Sequence, residues 1–107
     1  MNSILQDQKE DYFFRKMWGQ EVAVHLQKHH IFGGPLRSIS EANGFWVWLI
    51  DFNHTGANSN TPLGFKGVHH DRERDLELKR DCQAKYEETH SREEFMALIG
   101  RNYLGGE

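Results

Sequence analysis

Cysteine and long apolar runs are what this 107-residue chain most evidently lacks. Its single cysteine, Cys82, excludes an intramolecular disulfide and, taken alone, a zinc knuckle built from cysteines. No apolar run approaches about 18 residues, so the sequence predicts neither a signal peptide nor a membrane span. From these absences we expect a soluble intracellular protein.

An excess of basic charge is also missing. Lysine and arginine number 13 against 16 aspartates and glutamates, which gives a formal net charge of −3. This balance speaks against a strongly basic nucleic-acid binder, although a local basic patch stays open. The length and the 37% content of hydrophobic residues fit one small domain over residues 1–107. Because so small a domain buries little surface, a metal, a partner or a homodimer interface would add stability.

Two stretches predict strands. In residues 22–32, Val22, Val24 and Leu26 alternate with polar residues, as in a half-buried strand. Residues 45–52, FWVWLIDF, are aromatic and β-branched and form the stronger strand signal. The segment NHTGANSNTPLGFKG that follows predicts a long loop, and loops of that length in a small domain are usually functional or disordered.

The C-terminal part, residues 71–100, predicts two helices. Leu78, Cys82 and Tyr86 form an apolar stripe in the first. Ser91 and Glu94 form a capping box for the second, and a glycine at position 100 ends it. Upstream, SISEAN predicts a loop or one helical turn with Ser40 as a cap. We therefore expect an α+β fold with a small antiparallel β-hairpin, a long loop and C-terminal helices.

The histidines are the candidates for chemistry. His29 and His30 are adjacent, just before a glycine pair, and His54 follows the second predicted strand. Antiparallel pairing of the strands would bring His54 back beside His29, with Asn58 and His69 further along the chain. Neutral imidazole binds divalent metals and accepts a proton near neutral pH. Such a set suggests hydrolysis of a phosphodiester, with one histidine activating water beside a metal ion.

Three segments carry a family resemblance: KHHIFGG, GFWVWL with the histidine after that strand, and GVHHDRERDLELKRDCQAKYEETHSREEFMALIGRNYL. Together they look like the small phage-encoded proteins of the HNH, or ββα-metal (His-Me finger), endonuclease superfamily. The similarity is strongest over residues 26–54 and 67–104. It implies a ββα-metal core with additions, DNA as substrate and partner, and one divalent metal ion. It also implies a phage or prophage origin and the bacterial cytoplasm as compartment.

The resemblance assigns roles to individual residues. His29 would be a metal ligand and His30 the general base, adjacent at the end of the first strand. His54 would be the next metal ligand, and the third would be Asn58 or His69. The ion would be Mg²⁺, Mn²⁺, Zn²⁺ or Ni²⁺, since histidine ligands do not decide among them.

Two departures from the family pattern matter. The middle asparagine of the HNH name corresponds at best to Asn43, whose distance from the second strand does not fit. Related phage proteins also carry two Cys-x-x-Cys pairs that hold a structural zinc, and none of the four positions is cysteine here. Those positions are Asp11, Phe14, Ile50 and Asn53. We expect no structural zinc, and an N-terminal arm, residues 1–21, that replaces the knuckle by hydrophobic packing in which Phe13, Phe14 and Trp18 join.

Other features have weaker functional claims. Arg37 is a candidate for binding a substrate phosphate, although a solvated loop is as good an interpretation. Trp46 and Trp48 are better read as core residues than as base-stacking platforms. The basic residues of the long helix alternate with acidic ones, which favours a solvated face with i, i+4 ion pairs. Cys82 is expected to be a buried thiol.

Two alternatives to a nuclease stay open. The first is an inactive HNH-like scaffold that binds a protein, as an inhibitor would, or a nucleic acid. The acidic balance and the missing zinc knuckle favour a protein partner in that case. The second is a metal site that serves stability alone, for which four protein ligands and no open position would be typical.

Overall fold

Two short antiparallel strands form the sheet of this protein. The computed structural model describes residues 1–55 and 67–105. Strand β1 is Leu26–His30 and strand β2 is Trp46–Ile50, with Leu26 opposite Ile50 and His30 opposite Trp46. Because side chains alternate along a strand, His29 lies on one face of the sheet and His30 on the other.

Helices surround this hairpin. In chain order, and within the described residues, they are α1 (Tyr12–Trp18), α2 (Arg37–Asn43), α3 (Asp51–Thr55), α4 (Arg72–Tyr86) and α5 (Arg92–Ile99), with short 3₁₀ turns at Gly34–Leu36 and Val68–His70. The fold is therefore α+β, as expected. No helix in the described ranges combines the length and the apolar character that crossing a membrane requires.

The two C-terminal helices follow their sequence signals. Asp71 caps α4 by accepting hydrogen bonds from the backbone N–H groups of residues 73 and 74, and the predicted stripe, including Cys82, is buried. Burial raises the pKa of the Cys82 thiol. Helix α5 has the reciprocal capping box of Ser91 and Glu94, and Gly100 ends it with a φ of 85°.

The predicted strand bounds are wrong at both ends of the hairpin. β1 begins only at Leu26, because His25 has a φ of 50°, which breaks the extended chain, and Val24 is 61% exposed. β2 ends at Ile50, and the chain turns directly into α3, so the strand does not continue to residue 52 and the predicted loop does not begin at residue 53. The part of the predicted loop from residue 56 to residue 66 lies outside the described residues.

Ser40 does not cap a helix, contrary to expectation. It lies within α2, which spans Arg37–Asn43, and its side chain is buried. The hydroxyl donates to the backbone carbonyl of Phe32 at 2.8 Å and accepts from the N–H of the same residue at 3.2 Å. These two hydrogen bonds fasten α2 to the segment that follows β1.

The N-terminal arm is joined to the hairpin by a carboxylate. Asp11 is 0% exposed and accepts hydrogen bonds from the backbone N–H of Phe14 at 2.9 Å, the backbone N–H of Ile50 at 2.7 Å and the side-chain amide of Asn53 at 3.1 Å. Asp11, Phe14, Ile50 and Asn53 are the four positions to which the resemblance would assign cysteines. Phe14 and Ile50 are buried, as expected of hydrophobic packing, and a hydrogen-bonded acid that was not expected links the two segments.

The aromatic residues of the arm divide between core and surface. Phe13 and Phe14 are buried, as expected, whereas Trp18 is 56% exposed and only its ring edge contacts Phe14. Of the strand tryptophans, Trp46 is buried and Trp48 is half-buried. The expectation that Trp18 joins the core is wrong, because it is the last residue of α1 and more than half of it is exposed.

Candidate metal centre

Three histidines from separate elements converge on the inner side of the hairpin. His29 lies near the end of β1, His54 in α3 and His69 in the 3₁₀ turn before α4. One ring nitrogen from each lies within 4.8 Å of the others. The closest pair is Nε2 of His54 and Nε2 of His69, 2.8 Å apart.

The hairpin geometry explains this convergence. Antiparallel pairing places the end of β2 beside the start of β1, and α3 begins there without a connecting loop. His54 thereby lies beside His29, with their ring centroids 5.1 Å apart. The turn that carries His69 packs against α3, which brings its ring to 5.0 Å from that of His29 and 4.5 Å from that of His54.

The cluster has the chemical character of a metal site. The side chain of His29 is buried, and its Nε2 has no hydrogen-bond partner among the described residues. A buried polar atom without a partner costs about 1–3 kcal/mol, so native proteins rarely keep one. A bound cation would satisfy this nitrogen, and the other two histidines lie close enough to share that cation. We conclude that the residues present fit a divalent ion.

Gln27 holds the ring of His54 by a hydrogen bond to the nitrogen that would not bind the metal. The Oε1 atom of Gln27 lies 2.7 Å from Nδ1 of His54, so Nδ1 is the donor and carries the ring proton. The Nε2 of the neutral ring then offers its lone pair to the cluster. Metal-binding histidines commonly have their other nitrogen held in this way, which fixes the tautomer and the ring orientation.

The spacing of the nitrogens is close to that of a tetrahedral site. Two imidazole nitrogens at about 2.1 Å from one ion are roughly 3.4 Å apart in tetrahedral geometry. The ligand atoms lie between 2.8 Å and 4.8 Å from one another. Shifts of about an ångström or less, within the reach of side-chain rotation, would bring all three to an ion.

Burial and electrostatics keep the rings of His29 and His54 neutral. Burial, reinforced by the charges of His54 and His69, lowers the pKa of His29 to about 3. Burial, with a further contribution from His69, lowers the pKa of His54 to about 4. Since only neutral imidazole binds a metal, both rings are in their ligand form at neutral pH.

His30 borders the same cavity from the other side of the strand. A cavity of about 250 Å³ is lined by the three clustered histidines and by His30, Arg37 and Lys28. The Nε2 of His30 lies 2.7 Å from Oε1 of Glu41 on α2. A wider cleft of about 510 Å³ opens on the far side of the cluster, where Arg72 and Lys79 border it.

The other candidate ligands from the sequence do not add to the three-histidine cluster within the described residues. Asn43 does not join the cluster, because its side-chain amide donates to the backbone carbonyl of Ile39 at 2.9 Å and so closes its own helix. Asn58 lies outside the described residues. Gln27 and Glu41 were missed by sequence reasoning, because their contacts with His54 and His30 depend on how α3 and α2 pack against β1.

No protein-family model, no curated protein and no solved structure matches this chain.

Proposed function

We propose that this protein is a metal-dependent endonuclease of the HNH type that hydrolyses DNA phosphodiester bonds, and that it derives from a phage or prophage. His29, His54 and His69 hold one divalent ion, with Asn58 as a further candidate ligand. His30 is the general base. The observation that carries the proposal is the three-histidine cluster, with its unpartnered buried Nε2, in one cavity with His30 and Arg37.

Each group has a defined task in this scheme. When bound, the ion supplies Lewis-acid stabilisation of the phosphate and of the leaving oxygen. His30 takes a proton from the attacking water, a contribution typically of 10²–10⁴-fold in rate. Arg37 is exposed at the mouth of the cavity, and its guanidinium can bind a phosphate oxygen by charge-assisted hydrogen bonds.

The donor set favours a borderline metal. Three imidazoles suit Zn²⁺ or Ni²⁺ better than Mg²⁺ or Mn²⁺, which prefer oxygen ligands. Within the described residues the site has three protein ligands, and three protein ligands with a fourth position for water or substrate are typical of catalytic zinc sites. We therefore expect activity with Zn²⁺ or Ni²⁺ at lower concentrations than with Mg²⁺ or Mn²⁺.

A second function, an inactive scaffold that binds a protein partner, is favoured by one surface observation. Met17 and Trp18, consecutive at the end of α1, are 43% and 56% exposed. Large apolar side chains are enriched at protein interfaces. The net charge of −3 suits a protein partner better than DNA.

Plasmid cleavage by the purified protein tests the proposal. The metal-free protein is assayed with Zn²⁺, Ni²⁺, Mn²⁺ or Mg²⁺, beside His30→Ala and beside His90→Ala as the matched control. His90 stacks on Tyr86 and borders neither cavity of the histidine cluster. We expect metal-dependent cleavage that His90→Ala keeps and that His30→Ala reduces at least a hundredfold. An inert wild-type protein that binds metal would refute the nuclease and favour the scaffold.

A further inference from the structure

Glu41 contacts the imidazole of His30 on the outer face of the hairpin. Its Oε1 lies 2.7 Å from Nε2 of His30. The same carboxylate lies 3.3 and 3.4 Å from Nζ of Lys28, which shares the strand face of His30. Lys28 in turn lies over the ring of Trp46, 4.0 Å from its centroid. A short chain of contacts thus runs from the sheet surface through Lys28 and Glu41 to His30.

Buried hydrogen bonds fix the backbones that carry this contact. Ser40, the residue before Glu41, is bonded through its hydroxyl to both backbone groups of Phe32. Phe32 is two residues after His30, so α2 is fastened to the end of β1 close to the contact. The carboxylate of Glu41 is itself 49% exposed, but these buried bonds hold its backbone beside the end of β1, within reach of His30.

The contact decides which nitrogen of His30 can act as a base. A neutral imidazole has one N–H donor and one lone pair, and a carboxylate only accepts. With Nε2 donating to Glu41, the lone pair is on Nδ1. The ring is then both oriented and held in one tautomer. When it takes up a proton, the resulting cation has the carboxylate beside it, as the aspartate of a catalytic triad stabilises its histidine.

We propose that Glu41 is a positioning residue, which holds His30 in the Nε2–H tautomer so that Nδ1 accepts the proton of the attacking water. The oxygen of that water forms the new bond to phosphorus. The bond between phosphorus and the leaving oxygen breaks with its electron pair on the oxygen, which takes a proton from solvent. The assignment of the tautomer stands on the contacts alone, and only its catalytic consequence rests on the proposed function.

The tautomer is measured without any turnover. Long-range ¹H–¹⁵N NMR correlation of the metal-free protein at pH 8, with His30 assigned by comparison with His30→Ala, distinguishes a protonated Nδ1 from a protonated Nε2. We expect the wild-type protein to have Nε2 protonated and Nδ1 bare. We expect Glu41→Ala to move the His30 nitrogen shifts towards the average of the two tautomers. A wild-type His30 with its proton on Nδ1 would overturn the proposal.

Kinetics test the catalytic consequence. Glu41→Ala should lower kcat roughly tenfold to a hundredfold with little change in KM, because the base loses its orientation and the ground-state contacts to DNA remain. Glu41→Asp, which keeps a carboxylate on a shorter stem, should have a kcat between those of the wild type and Glu41→Ala. Glu93→Gln removes an exposed carboxylate on α5 and serves as the control for charge alone.

Metal affinity and stability separate positioning from general disruption. Glu41→Ala should bind metal with the wild-type affinity and unfold at the wild-type urea midpoint, since Glu41 contacts none of the clustered histidines. An unchanged kcat, or a fall in kcat matched by a loss of metal affinity, would refute the positioning role. If the wild-type protein itself is inert, the proposed function and the catalytic consequence both fail, and the NMR result still decides the tautomer.

Discussion

Replacing Asp11 by alanine should destabilise this protein more than any other change to a single acid in its N-terminal arm. The carboxylate joins α1 to the end of β2 and to α3 through three buried donors. Each donor left without an acceptor costs about 1–3 kcal/mol, so the three together would cost roughly 3–9 kcal/mol in a rigid structure.

Two effects reduce that figure. Burial raises the pKa of Asp11, because its hydrogen bonds offset only part of the cost of removing the carboxylate from water. The substitution to alanine removes that desolvation cost. Water can also enter the space that the side chain leaves. We therefore expect a net loss of about 3–5 kcal/mol, a large share of the 5–15 kcal/mol with which a domain is usually stable.

Urea unfolding followed by tryptophan fluorescence measures this loss. Asp7→Ala is the matched control, because Asp7 is exposed in the same arm and its replacement should change the free energy of unfolding by less than about 0.5 kcal/mol. Asp11→Asn, which keeps one acceptor oxygen, should fall between the two. A loss below about 1 kcal/mol for Asp11→Ala would refute the view that this carboxylate fastens the arm.

Two further changes have predicted outcomes. Lowering the pH of the metal-free protein from 7 to 4 should reduce its free energy of unfolding. In the folded protein His29 stays neutral over this range, because its pKa is lowered to about 3. In the unfolded chain the same imidazole takes up a proton below about pH 6.5. The contribution of His29 is on the order of 3 kcal/mol, measured by urea titrations at each pH, and His29→Gln should flatten the dependence. Gly44→Ala should cost several kcal/mol in the same assay, since the φ of 73° strains alanine and its Cβ would lie 2.2 Å from the backbone oxygen of Asn2. Gly19→Ala, with a φ of 66° and nothing within 4 Å, should cost only the strain of about 1–2 kcal/mol, and equal losses for the two variants would contradict the steric argument.

Local signals in the sequence predict the C-terminal helices well and the hairpin bounds poorly. The cap at Ser91 and the stop at Gly100 are properties of a few neighbouring residues, so they can be read from the chain. The start of β1 depends instead on a distant partner. Leu26 pairs with Ile50, the last residue of β2. Val22 and Val24 therefore lie beyond the end of β2 in the pairing register, although their alternation is typical of a strand.

For the candidate site, too, the sequence predicts one part and not the other. The order and spacing of the histidines predict that His54 lies near His29, because antiparallel pairing brings the residues after β2 back to β1, whereas the choice between Asn58 and His69 stayed open. The residues that orient them were not predictable. Glu41 reaches His30 only because Ser40 fastens α2 to the end of β1, and the sequence does not reveal that contact. The link that Asp11 makes to β2 and α3 was equally hidden, since its position in the sequence indicates only a helix cap.

Calorimetric titration of the metal-free protein with Zn²⁺ tests whether His29, His54 and His69 form one metal site. We expect one ion per chain and little proton release at pH 7.5, because His29 and His54 are already neutral. We also expect loss of binding in His29→Ala but not in His90→Ala. Absence of binding, or binding that His29→Ala leaves intact, would contradict this expectation.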